Sequence, residues 1–218
     1  MKINDEFPAL KKESLNKKLI MYSVAAGMTL SLGAKAHAEI QYTNIEPNKT
    51  ITQAENHETH DFLLDLNNDG TPEFKIFQAF STTYTFSYSY YFYSYNSVLQ
   101  VATNDGLSVM RANSVNPYVA ALKSNSLISA DQNFNADKVL GVVSYYDALA
   151  EGMWPGAGQK FMGVKFKIEE NIHYGWIRLS VADNCGSFTV YDYAYEDEAG
   201  QAIKAGQTGS SLSDELTE

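Results

Sequence analysis

The chain carries one cysteine, Cys185, and so cannot form an intrachain disulfide in any redox compartment. Basic residues are scarce: 16 Lys and Arg stand against 26 Asp and Glu, a formal net charge of −10. A surface of that sign repels phosphate backbones and anionic headgroups, which excludes nucleic acid and membrane surfaces as expected partners and suits divalent cations. No apolar run reaches the roughly 20 residues that a membrane-spanning helix needs; the one from Leu19 to Gly33 stops short. From Glu39 onward a sustained 3.6-residue apolar period is missing, which argues against a helical bundle. Catalytic signatures are missing too. There is no Gly-x-Ser-x-Gly elbow, and Cys185 has no histidine beside it. In His57-Glu58-Thr59-His60-Asp61, Asp61 stands where a zinc-binding HExxH helix needs histidine.

What is present begins with an export signal. Lys11, Lys12, Lys17 and Lys18 precede the apolar run, which gives way to Ala34-Lys35-Ala36-His37-Ala38. Basic, apolar and small-residue segments in that order form a signal peptide with an A-x-A site, placing cleavage after Ala38. Residues 1–38 are therefore read as leader, and the mature chain carries no membrane anchor. No cysteine follows the run to take a lipid. The leader holds six of the basic residues and three of the acidic ones, so its removal leaves a still more acidic protein, secreted or periplasmic.

After Glu39, short β-branched and aromatic runs recur between Gly, Asn, Asp and Pro clusters, an all-β pattern. Glu73 to Phe77 alternates. So does Tyr84 to Phe92, with Tyr84, Phe86, Tyr88, Tyr90 and Phe92 on one face before the aromatics switch to Tyr91, Tyr93 and Tyr95. That switch predicts a bulge near Tyr90 and Tyr91, or a strand covered on both faces. Val164, Phe166 and Ile168 oppose Lys165 and Lys167; Ile177, Leu179 and Val181 oppose Trp176, Arg178 and Ser180. With a turn at Asp183-Asn184-Cys185-Gly186 and a third strand from Phe188 to Tyr195, the last third reads as an antiparallel meander. The expected architecture is an antiparallel β-sandwich of jelly-roll type over 39–205, followed by a disordered acidic tail over 206–218.

One loop carries a mechanism. Asp65-Leu66-Asn67-Asn68-Asp69-Gly70-Thr71-Pro72-Glu73 places oxygen-bearing side chains at positions 1, 3 and 5 and Gly at 6, a spacing that wraps a turn around a hard cation. Asp65, Asn67 and Asp69 would give side-chain oxygens, Thr71 its carbonyl, and Glu73 an oxygen directly or through water. Calcium is the expected ion. The bidentate Glu that an EF-hand needs at position 12 is replaced by Ile76, and a strand follows instead of a helix. The nine residues resemble the DxNxDG loops of dockerin-like, FG-GAP-type and thrombospondin-type extracellular modules.

A wider likeness runs through Phe161 to Phe166, His173-Tyr174-Gly175-Trp176-Ile177-Arg178 on to Val181, Tyr193-Ala194-Tyr195-Glu196 and Ile203-Lys204-Ala205-Gly206. With the loop, these resemble a pattern in uncharacterised secreted bacterial β-rich proteins, often ending in a PEP-CTERM-type sorting anchor. The resemblance implies a secreted β-rich domain; no anchor segment follows Gly206 here.

For ligand binding the candidates are Trp154, set among turn residues, and Tyr88 and Tyr90 in the aromatic band, since exposed rings stack on sugars or cations. Trp176 is expected in the core. The functional expectation is a non-catalytic module that binds glycan or another surface polymer. The alternatives are a polysaccharide-acting enzyme, drawing paired carboxylates from Asp147, Glu151, Glu169, Glu170 and Asp192, and a purely structural envelope or matrix protein.

Overall fold

A computed structural model describes residues 39–52, 59–87, 90–103, 107–112, 118–135, 138–144 and 150–209. The expected leader lies outside the described residues. Thirteen strands are described, with no helix among the described residues. They are β1 (Ile40–Thr52), β2 (Thr59–Leu64), β3 (Phe74–Ser87), β4 (Tyr90–Thr103), β5 (Ser108–Met110), β6 (Leu127–Ile128) and β7 (Phe134–Asn135). Then follow β8 (Lys138–Ser144), β9 (Ala150–Gly152), β10 (Lys160–Ile168), β11 (Asn171–Val181), β12 (Ser187–Glu196) and β13 (Ile203–Lys204).

The protein is an antiparallel β-sandwich. One sheet has the order β1-β12-β11-β10-β5-β7, the other β2-β3-β4-β8-β9, and β13 pairs with β6 in a two-stranded patch. Consecutive strands lie side by side in β2-β3-β4 and in β10-β11-β12, and these two meanders supply four of the ten neighbouring strand pairs; these pairings do not establish the jelly-roll order expected from the sequence.

Alternation fixes which residues fill the interior. Met162, Val164 and Phe166 of β10 and Ile177, Leu179 and Val181 of β11 face Leu64, Phe74, Ile76, Val101 and Leu140 of the other sheet, as period-2 strands require. Trp154 and the side chains of Phe74, Phe166 and Phe188 are among the largest buried groups, each contributing about 1.5–3 kcal/mol by leaving water. A second, smaller cluster sits on the outer face of the six-stranded sheet, where Ile128, Ile203 and Ala205 cover Tyr174, Trp176 and Ala194. This explains why β11 is buried on both faces near its centre.

A bulge in β12 sets the face of its second half. Register runs Arg178 to Asp192 and then Leu179 to Val190, leaving Tyr191 unmatched. Val190 and Phe188 point inward before it, and Tyr193 and Tyr195 pack against the same core after it. Asp192 and Ala194 are thereby turned outward.

The aromatic band is two strands where the sequence suggested one. Register pairs Tyr84 with Tyr93, Phe86 with Tyr91 and Ser87 with Tyr90, so the chain reverses between Ser87 and Tyr90. The switch from even to odd aromatic positions marks that reversal, and the expected bulge is replaced by a hairpin. The side chains of 81–99 and all of Tyr88 lie outside the described residues. The fold also continues past the expected boundary at Ala205: the Gln207 carbonyl accepts from Trp176 Nε1 at 3.1 Å. Residues 210–218 of the expected tail lie outside the description.

Candidate metal centre

The loop from Asp65 to Glu73 joins β2 to β3, and both its ends are anchored in the core. Leu64 and Leu66 are buried on one side and Phe74 on the other. Glu73 N donates to the Leu64 carbonyl at 2.9 Å, and Leu66 N donates to Glu73 Oε2 at 2.7 Å. Together these close the base of the loop.

Within it the short acidic side chains organise the backbone. Asp65 Oδ1 accepts from Asp69 N at 3.1 Å and Oδ2 from Gly70 N at 2.8 Å. Asn67 Oδ1 accepts from Asp69 N at 3.0 Å, and Asp69 Oδ1 from Thr71 N at 2.8 Å. Asn67 Nδ2 reaches Asp69 Oδ2 at 3.0 Å. Asn68 and Gly70 take left-handed backbone, with φ of 58° and 89°, which is why Asn and Gly serve there.

The consequence is a concentration of negative charge. One carboxylate oxygen from each of Asp65, Asp69 and Glu73 lies within 4.8 Å of the others. Opposed ligands in a calcium shell, each about 2.4 Å from the ion, are separated by about the same distance, so all three oxygens fit around a single cation. Among the described residues no Lys or Arg pairs with any of the three. Burial of Glu73, and then the Asp65 and Asp69 charges, push its carboxyl above the usual range against the pull of two backbone hydrogen bonds. The internal bonds hold the loop's shape; what they leave uncompensated is charge.

Asp65, Asp69 and Glu73 are thus brought together as the spacing implied. Asn67 and Thr71 flank the cluster through their bonds to Asp69. A residue that the sequence placed only in the wider pattern also takes part: Tyr193 of β12 donates its hydroxyl to the Asp65 carbonyl at 3.2 Å, tying the loop to the opposite sheet. Nothing in the local sequence pairs it with the loop.

The aromatic candidates divide differently. Trp154, expected as an exposed ring for ligand, is fully buried and donates Nε1 to the Val119 carbonyl at 3.1 Å; Pro155 beside it bridges to Val181, so the turn residues fold the indole inward. This corrects the expectation. Tyr90 begins β4 opposite Ser87. Trp176 is buried as expected.

The carboxylates weighed for sugar hydrolysis are placed as follows. Asp192 is held by Arg178 and Tyr42, Glu151 accepts from the Tyr118 hydroxyl at 2.7 Å, and Glu169 and Glu170 form the turn between β10 and β11. Asp147 lies outside the described residues. The histidine-rich segment does not assemble a metal site among its described members: His60 Nδ1 bonds the Thr52 carbonyl and Asp61 pairs with Lys75.

No family model, curated protein or solved structure matches this chain. Among the described residues no helix is long and apolar enough to cross a membrane.

Proposed function

We propose that the protein is an exported, non-catalytic β-sandwich module, stapled by calcium at Asp65 to Glu73, that binds a glycan or another extracellular surface polymer. The observation that carries the calcium reading is the convergence of three carboxylates, one of them buried, on a loop tied to both sheets. An ion there would cancel their repulsion and lock β2, β3 and β12 together. Asp192 and Glu151 each spend an oxygen on another side chain, which supports binding over hydrolysis. With Trp154 in the core, the rings proposed for stacking are those the sequence places between Tyr84 and Tyr95, whose side chains lie outside the described residues.

Melting the exported protein in millimolar calcium and in chelator tests the staple: calcium raises the midpoint, and coincident curves would defeat the reading. A glycan array tests the partner, with retention on a defined set of polymers as the expected result. Release of reducing sugar from mixed polysaccharides would replace the binding reading with an enzymatic one.

A further inference from the structure

The first described residue is held in a way that gains meaning from the leader before it. Glu39 N sits 2.8 Å from Asp197 Oδ1, Asp197 N returns a bond to the Glu39 carbonyl at 3.1 Å, and Asp197 Oδ2 accepts from Gln41 Nε2 at 3.3 Å. One carboxylate therefore clasps the start of β1. Next along the chain, Ile40 is buried and pairs in register with Glu196.

In the uncut chain Glu39 N is a neutral amide, and here it stands in for a different group. We propose that cutting the Ala38–Glu39 bond completes the fold: the ammonium freed on Glu39 pairs with the Asp197 carboxylate and fastens β1 to the end of β12. The inference rests on the export reading. In the step, a peptidase that accepts small residues adds water across the amide. The C–N bond breaks, hydroxyl goes to the Ala38 carbonyl carbon, which leaves as carboxylate, and the Glu39 nitrogen takes up protons to become an ammonium.

The charge balance at this corner favours that outcome. Glu196, Asp197 and Glu198 are consecutive, and among the described residues no Lys or Arg pairs with them; His173 meets only the Glu196 carbonyl, at 2.9 Å. Burial, and then the Asp197 and Glu198 charges, hold the Glu196 carboxyl above its usual range. A cation delivered to Asp197 relieves that crowding. A hydrogen bond between charged groups is also stronger than the one a neutral amide N–H donates to the same carboxylate. Cleavage thus creates its own fastening, at a point where an edge strand would otherwise fray.

The test expresses the full precursor in a bacterial host and purifies the exported product. Intact mass first establishes the terminus: an exported product starting elsewhere than Glu39 overturns the proposed cut and its ion pair, and an uncut chain retained in the cell overturns the export reading itself. With Glu39 first, the α-amine is titrated by its rate of acetylation with trace anhydride against pH. Its midpoint is expected about 0.5–1 unit above the ordinary α-amino value near 8. In Asp197→Asn the midpoint returns to that value, and the melting temperature at pH 7 falls by about 1–3 °C. An ordinary midpoint in the wild type overturns the ion pair while leaving export standing, and it needs no variant to fold.

Discussion

Arg178 and Asp192 stand opposite each other in register on β11 and β12, and the guanidinium meets the carboxylate at two points, with Nε 2.8 Å from Oδ1. The carboxylate is almost wholly buried while the guanidinium is about one-third exposed, and Tyr42 of β1 adds a third bond at 2.9 Å. Three neighbouring strands are thereby joined by one carboxylate. Arg178→Met leaves that carboxylate buried without its cation and is expected to cost about 3 kcal/mol, the lower end for a broken buried pair because Arg178 keeps some solvent. Urea unfolding of the two proteins measures this. A change below about 0.5 kcal/mol, the scatter of ordinary surface substitutions, would mean that the clamp contributes little.

Much of this arrangement was legible beforehand, and the reasons differ by element. The β10-β11-β12 meander is plain because lysines alternate with apolar residues in β10 and tight turns interrupt the strands. The acidic loop is plain because Asp, Asn and Gly serve both the turn and the cation. The reversal between β3 and β4 was hidden: aromatics stand at even positions from Tyr84 to Phe92, past the start of β4, and the switch to odd positions that marks it reads equally as a bulge. Trp154 was misplaced since its turn-forming neighbours suggest a surface, whereas a parallel bridge from Pro155 to Val181 carries the indole into the core. Long-range pairing of that kind leaves no local trace. The run from His173 to Arg178, part of the wider pattern, is a set of fastenings: His173 to the Glu196 carbonyl, Trp176 to the Gln207 carbonyl, and Arg178 to Asp192.

Gly175 belongs to the same set. A Cβ there would lie 2.6 Å from the Ala194 carbonyl oxygen and 3.0 Å from Tyr195 Cβ. The obstacle is backbone in a paired strand and cannot swing aside. Gly175→Ala is expected to destabilise by about 2–3 kcal/mol through overpacking, seen as a lower urea midpoint. Gly70→Ala makes a control: nothing lies within 4 Å of its Cβ, so only the left-handed φ is penalised, by about 1 kcal/mol. Equal losses at the two positions would contradict the close approach.

Cys185 lies fully buried in a turn, and burial pushes its thiol up to about 11. The thiolate is the reactive form, and an ordinary cysteine ionises near 8.5. At pH 8 the folded protein is therefore expected to react with a disulfide reagent about 100-fold or more slowly than the urea-unfolded chain. Comparable rates would show the turn opening freely. The sign also bears on stability: with the folded value raised, the contribution is complete below the unfolded value and is lost as pH climbs through about 11.

Glu73 gives the sharpest test of the staple, because proton and cation compete for the same oxygens. Without metal its carboxyl is raised above the usual range, chiefly by burial. Its contribution to stability is then fully present below the unfolded value and fades as pH rises through the folded one. Calcium reverses the dependence, since it binds only the ionised group. At an affinity of about 10⁻⁴ M, the tight end for extracellular loops, 10 mM calcium adds about 2.7 kcal/mol at neutral pH. The melting gain, calcium minus chelator, should shrink as pH falls through the Glu73 titration. In Glu73→Gln the amide oxygen can still accept from Leu66 N. This variant is expected to melt higher than wild type in chelator at pH 7, by about 1–3 °C, because a crowded charge is gone. In calcium it should melt lower, because a ligand is gone. Curves that keep the same order in both media would show that these three carboxylates share a loop without sharing an ion.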